Sequence, residues 1–118
     1  AAESMRLARA AGLDAATVAE ALGGMGPASP VTKGLLSRIL HYDTELHFAL
    51  ALMDKDVRYA SRLASDAGLN LSLLNATRKI FDTAVSQGLG DEDWSMLYQV
   101  YENKDTREGY IRQKKTKR

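Results

Sequence analysis

Cysteine is absent from the 118 residues, which removes disulfides, thiolate metal sites and cysteine nucleophiles together. Two prolines and nine glycines leave few breaks, a balance that favours helices. No apolar run approaches the roughly 20 residues that span a bilayer, so a transmembrane helix is excluded. The opening Ala1-Ala2-Glu3-Ser4-Met5 has neither the basic nor the apolar region of a signal peptide. Lack of cysteines and of signals suits a cytoplasmic protein. What is present is ordinary for a globular domain, 45% hydrophobic and 26% charged, so wholesale disorder is excluded. The length fits one domain.

Charge is nearly balanced at +1 but unevenly placed. Six of the sixteen Lys/Arg and one of the fifteen Asp/Glu fall in residues 107–118, leaving ten against fourteen, a net of −4, before them. The expected division is therefore a helical domain over residues 1–104 and a basic, flexible tail over 105–118. A basic tail can attract phosphate-rich partners. The acidic body lacks the broad basic face of a dedicated nucleic-acid domain, so nucleic acid is not an expected partner.

Apolar residues recur at helical spacing along the chain. Glu3 to Ala11 reads as a helix with Met5, Leu7, Ala8 and Ala11 on one side, stopped by Gly12. Asp14 is a good cap for the next, with Val18, Ala21 and Leu22 inward and Gly23-Gly24 as its end. Met25 to Pro30 is a loop, Val31 to His41 a helix on Leu35, Leu36, Ile39 and Leu40, and Tyr42 to His47 a polar connection. The strongest stripe is Leu50, Met53, Val57, Ala60, Ala64 and Ala67, closed by Gly68. Ser72 is expected to cap a helix carrying Leu74, Thr77, Ile80, Phe81, Ala84 and Val85 inward, ending near Gly88-Leu89-Gly90. Asp91 or Asp93 then caps a last helix facing inward with Trp94, Leu97, Val100 and Tyr101. No segment alternates with period two for long. The fold class is all-α, about six helices with short connections.

Taken alone, these residues carry no catalytic signature. His41 and His47 are six apart, not the four that places two imidazoles on one helical face, so no metal site is expected. Ser4, Ser37 and Ser95 lack a Gly-x-Ser-x-Gly setting. Gly23-Gly24-Met25-Gly26 follows no strand and precedes no Lys-Ser/Thr, so it is not a phosphate loop. Asp54-Lys55-Asp56 stands between inward-pointing Met53 and Val57, at the edge of the core face; local pairs such as Asp54 with Arg58 are worth a few tenths of a kcal/mol.

One segment, however, resembles a known family. Phe48-Ala-Leu-Ala-Leu-Met-Asp-Lys55-Asp56-Val-Arg-Tyr-Ala60, followed by Ala64 and Ala67-Gly68, is similar to the Phe-x-Leu-x-Leu-x-x-Lys-Asp-Leu-x-x-Ala stretch of β-hydroxyacid dehydrogenases, the family of 3-hydroxyisobutyrate dehydrogenase and tartronate semialdehyde reductase. Other landmarks come in the same order: Ala11-Gly12-Leu13-Asp14, then Leu22 and Gly24, then Ala84, Gly88-Leu89-Gly90 and Asp93-Trp94-Ser95. Ser72 departs from the family, standing where a proline is common.

The resemblance covers residues 1 to about 102 and only the family's C-terminal helical domain, similar to that of 6-phosphogluconate dehydrogenase-like enzymes. It implies a piece of an NAD- or NADP-dependent oxidoreductase that acts on small 3-hydroxy acids, opening inside the long interdomain helix. Lys55 would reach the cofactor, while Phe48 and Asp56 would shape the substrate cleft. The dinucleotide fingerprint and the catalytic lysine belong to other parts of such an enzyme, so no catalytic residue is expected in this chain and the chain alone is expected to be inactive. Bare apolar surface at the first and last helices implies a homo-oligomer. The rival reading is a free-standing helical interaction module; a weaker one makes the tail a nucleic-acid binder.

Overall fold

The computed structural model describes residues 1–102; the basic tail expected over 105–118 lies outside them. Five α-helices form: α1 (Ala2–Ala10), α2 (Ala15–Gly24), α3 (Pro30–His41), α4 (Leu50–Asp66) and α5 (Ser72–Ser86). A 3₁₀ helix, Trp94–Tyr101, follows. Among the described residues no strand forms, only an isolated antiparallel bridge between Ala49 and Asp93.

Local chemistry accounts for most boundaries. Asp14 caps α2 by accepting from the Thr17 N–H at 2.8 Å. Ser29 does the same for α3 through Thr32, with Pro30 in the first turn, where its missing N–H costs nothing. Gly68, at φ +69°, closes α4: its N–H reaches the Ser65 carbonyl and the Leu69 N–H reaches that of Ala64, both at 2.9 Å. Gly12 and Gly88 end α1 and α5 with the same pair of bonds. Ser72 is not the cap expected of it; Leu71 holds that position without a side-chain bond, and Ser72 is the first helical residue.

Two apolar clusters make the core. Met5, Leu36, Ile39 and Tyr98 form one, covered by Val18, Ala19 and Leu22 from α2. Leu50, Val57, Phe81 and Ala84 form the other, between α4 and α5. Burying each large side chain contributes roughly 1.5–3 kcal/mol.

The last segment joins the clusters because it is 3₁₀ rather than α. With three residues per turn, Trp94, Leu97 and Val100 line up against the α4/α5 cluster. Ser95, Tyr98 and Tyr101 form the next row. Tyr98 enters the other cluster, and the Tyr101 hydroxyl donates to Glu3 Oε1 at 2.9 Å. The expected inward face of Trp94, Leu97, Val100 and Tyr101 is thus corrected: Tyr101 belongs to the other side. Arg9 of α1 donates to both Tyr98 and Tyr42 hydroxyls at 2.7 Å, and Tyr42 ends α3 in a left-handed conformation, φ 50°.

Candidate functional site

The start of α4 is held by backbone pairing. Trp94 N–H donates to the Phe48 carbonyl at 2.9 Å, Leu50 N–H to that of Glu92 at 2.8 Å, and Ala51 N–H to that of Gly90 at 2.9 Å. At the centre lies Asp93, with no exposed surface. Its Oδ1 accepts from the His47 and Phe48 N–H groups at 2.9 and 3.0 Å. Its Oδ2 accepts from Ser95 N–H at 3.0 Å and Ser95 Oγ at 2.6 Å. Burial pushes this carboxyl up, but the bonds from Ser95, Phe48 and His47 together outweigh it and hold the pKa at about 2. Asp93 therefore does more than cap the last helix. It fixes Phe48, whose ring meets Trp94 edge-on at 5.9 Å and 73°.

Phe48, two residues ahead of α4, is 37% exposed. Lys55 and Asp56 lie within α4, their side chains half exposed and paired at 3.3 Å. Lys55 Nζ also stands 5.5 Å from the centre of the Tyr59 ring. Lys55, expected at the edge of the core face, lies on the opposite side. Leu52, Lys55, Asp56, Tyr59 and Leu63 share one helical face, and all are exposed. The core side is taken by Leu50, Val57 and Ala64, while Ala60 and Ala67, expected inward, are exposed. The spacing of seven and four between Leu52, Tyr59 and Leu63 was the available signal of a second apolar stripe.

Asp54 also departs from expectation. Its pair with Arg58 is not a surface ornament, because Asp54 is buried. Arg58 Nε donates to Asp54 Oδ2 at 2.8 Å and Nη2 to Asp82 Oδ1 at 2.6 Å, tying α4 to α5. Hydrogen bonding to Asp54 and the nearby charges of Asp54 and Asp82 raise the Arg58 pKa.

Beside the Asp93 ladder runs a groove of about 380 Å³, lined by Pro30, Val31, Gly34, Leu35, Arg38, His47 and Trp94. His47, which lines it, stands with Asp43 and Glu45, each of the three bringing one possible metal-ligand atom to within 4.8 Å of the others. His41, the other histidine, instead bonds the Ser37 carbonyl at 2.9 Å.

Over residues 1–101 the sequence matches the family described as NAD-binding of NADP-dependent 3-hydroxyisobutyrate dehydrogenase. No curated protein matches it. Among solved structures the fold is similar to 3-hydroxyisobutyrate dehydrogenase from Salmonella typhimurium, with a TM-score of 0.79 and 22% identity, covering 84% of this chain. The chain spans only 35% of that protein's length, and at this identity the likeness speaks for the fold. The all-α fold, the Lys-Asp segment on α4 and the match over nearly all described residues converge: the chain belongs to the 3-hydroxyisobutyrate dehydrogenase family, as a domain of the β-hydroxyacid dehydrogenases.

Proposed function

We propose that this chain forms the helical wall of a cofactor cleft in an NAD- or NADP-dependent dehydrogenase for small 3-hydroxy acids, with Lys55 reaching the cofactor and Phe48 and Asp56 lining the pocket. The observation that carries this reading is the outward face of α4. It holds an ammonium among exposed Leu52 and Tyr59, where a solvated helix would place polar residues.

The residues present fit a nicotinamide dinucleotide. Lys55 is half exposed, and its partners are a neighbouring half-exposed carboxylate and a ring, so it can turn to a cofactor hydroxyl or phosphate as a point charge. When bound, the cofactor supplies the hydride acceptor or donor. Leu52 and Tyr59 exclude water beside it. Phe48, pinned through Asp93, holds the pocket wall in place, and Asp56 keeps Lys55 oriented. The proton-transferring group is assigned outside this chain, so the 118 residues alone are expected neither to bind NAD(P) appreciably nor to turn over hydroxy acids. The cysteine-free sequence suits a cytoplasmic enzyme.

The test is steady-state kinetics of Lys55→Ala in the full-length enzyme, with Arg62→Ala as control, since Arg62 makes no ion pair among the described residues. Loss of a charged contact in a partly desolvated cleft lowers kcat/KM by about one to two orders of magnitude. Equal, near-wild-type values for both variants remove the assignment. Arg58 is unsuitable as a control because it bridges two helices.

A further inference from the structure

We propose that Asp93 and Trp94 are positioning residues for the reaction: together they clamp Phe48, backbone and ring, into a fixed wall of the substrate pocket. This rests on the assignment of Phe48 to that pocket and adds the two residues that act through it.

Phe48 belongs to no helix, since α3 ends at His41 and α4 begins at Leu50. Connections of this kind ordinarily run over the surface with their backbone partly bonded to water. Phe48 instead has both its backbone groups committed to protein. Its N–H donates to Asp93 Oδ1 at 3.0 Å, and its carbonyl accepts from Trp94 N–H at 2.9 Å. His47 N–H reaches the same Oδ1 at 2.9 Å, so the residue before Phe48 is held as well. The Phe48 ring meets the Trp94 ring edge-on, with centroids 5.9 Å apart. Three contacts on one residue thus come from two consecutive residues far along the chain.

Stability alone does not ask for this arrangement. A segment that only linked α3 to α4 could leave these amides to water at little net cost. The ring, still 37% exposed, also forgoes part of the burial a core aromatic gains. What the contacts remove is the freedom of a half-exposed side chain to swing. A binding wall needs that, because pocket geometry is kept by side chains locked through the packing and hydrogen bonds of supporting residues. The supports are themselves held. Trp94 packs against the cluster of Leu50, Val57, Phe81 and Ala84, and Asp93 Oδ2 accepts from Ser95 N–H and Oγ at 3.0 and 2.6 Å. The wall is therefore braced directly on the core.

Two measurements test the clamp. Amide hydrogen exchange of the 118-residue chain compares Phe48 and His47 with Leu46, whose N–H makes no hydrogen bond among the described residues. The Phe48 and His47 amides are expected to exchange at least about tenfold more slowly. Exchange as fast as at Leu46 overturns the clamp. The second measurement is steady-state kinetics of the full-length enzyme with 3-hydroxyisobutyrate, for Phe48→Ala, Trp94→Leu, Trp94→Phe and the double variant Phe48→Ala/Trp94→Leu. Trp94→Leu keeps an apolar side chain against the core but loses the ring pair, and is expected to raise KM about three- to tenfold. Trp94→Phe, which keeps an aromatic partner, is expected to restore most of the loss. In the Phe48→Ala background Trp94→Leu is expected to add nothing, because the ring it positions is gone. A merely structural Trp94 would lower thermal stability and leave KM unchanged. An unchanged KM for Phe48→Ala removes the pocket assignment itself. A raised KM for Phe48→Ala, with Trp94→Leu either at the native KM or fully additive to it, overturns the clamp and leaves that assignment standing.

Discussion

Asp93 has no exposed surface, and it stays ionised because four donors converge on it. Its carboxyl, at about 2 in the folded chain against an ordinary 3.8, is depressed. The stabilisation is therefore fully present above the unfolded value and is lost as pH falls through the folded one. The expected worth is about 2 kcal/mol, disappearing between roughly pH 5 and 2. Urea unfolding should show this fall for the native chain and a flatter profile, from a lower start, for Asp93→Asn. Equal pH slopes for the two would show that the carboxylate is not the group responsible. Such a hub is invisible in sequence: the Asp-x-Ser pattern announces a cap, but not that residues 45 and 46 positions earlier, Phe48 and His47, bond the other oxygen.

At the scale of elements, the legible features were the local ones. A glycine after a run of helix formers stops it by supplying a left-handed residue, and Gly12, Gly68 and Gly88 all do so. Substituting Gly68→Ala forces a side chain into φ +69° and is expected to destabilise by about 1 kcal/mol. Gly34→Ala, in ordinary helical backbone with open space at its Cβ, should instead stabilise by about 0.5–1 kcal/mol. Thermal unfolding of the two variants checks the opposite signs. The last helix was legible only in part. Asp93 as its cap was readable, but whether Trp94–Tyr101 winds as 3₁₀ or α depends on two clusters it must face simultaneously. Three residues per turn satisfy both, placing Trp94, Leu97 and Val100 on one and Tyr98 on the other.

The whole molecule leaves apolar surface outward. Leu52, Tyr59 and Leu63 on α4 are 47, 60 and 71% exposed, and Leu7 on α1 is 71% exposed. The expected association through the first and last helices needs revision, since the last helix buries Ser95, Met96, Tyr98 and Gln99 between the clusters. If the isolated chain self-associates, the outer face of α4 is the surface to do it. Sedimentation of the 118-residue chain at hundreds of micromolar is expected to show association, and Leu63→Glu to reduce it. A monomeric profile for the native chain counts against the idea. An unchanged profile for Leu63→Glu moves the interface elsewhere.

Helix existence and most helix ends were determined by the sequence itself, because caps and glycine stops act within a few positions along the chain. The family resemblance was legible for the same reason, being carried by contiguous strings such as Phe48 to Ala60. Tertiary structure decided the rest. Helix α4 has two apolar stripes, Leu50–Val57–Ala64 and Leu52–Tyr59–Leu63, and periodicity alone does not say which one a neighbour covers. Packing against α5 through Val57, Phe81 and Ala84 chose the first, and so turned Lys55 and Asp56 outward and Asp54 inward to Arg58. The groove around Arg38 likewise exists only because α3 and the Asp93 ladder, far apart in the chain, meet in space.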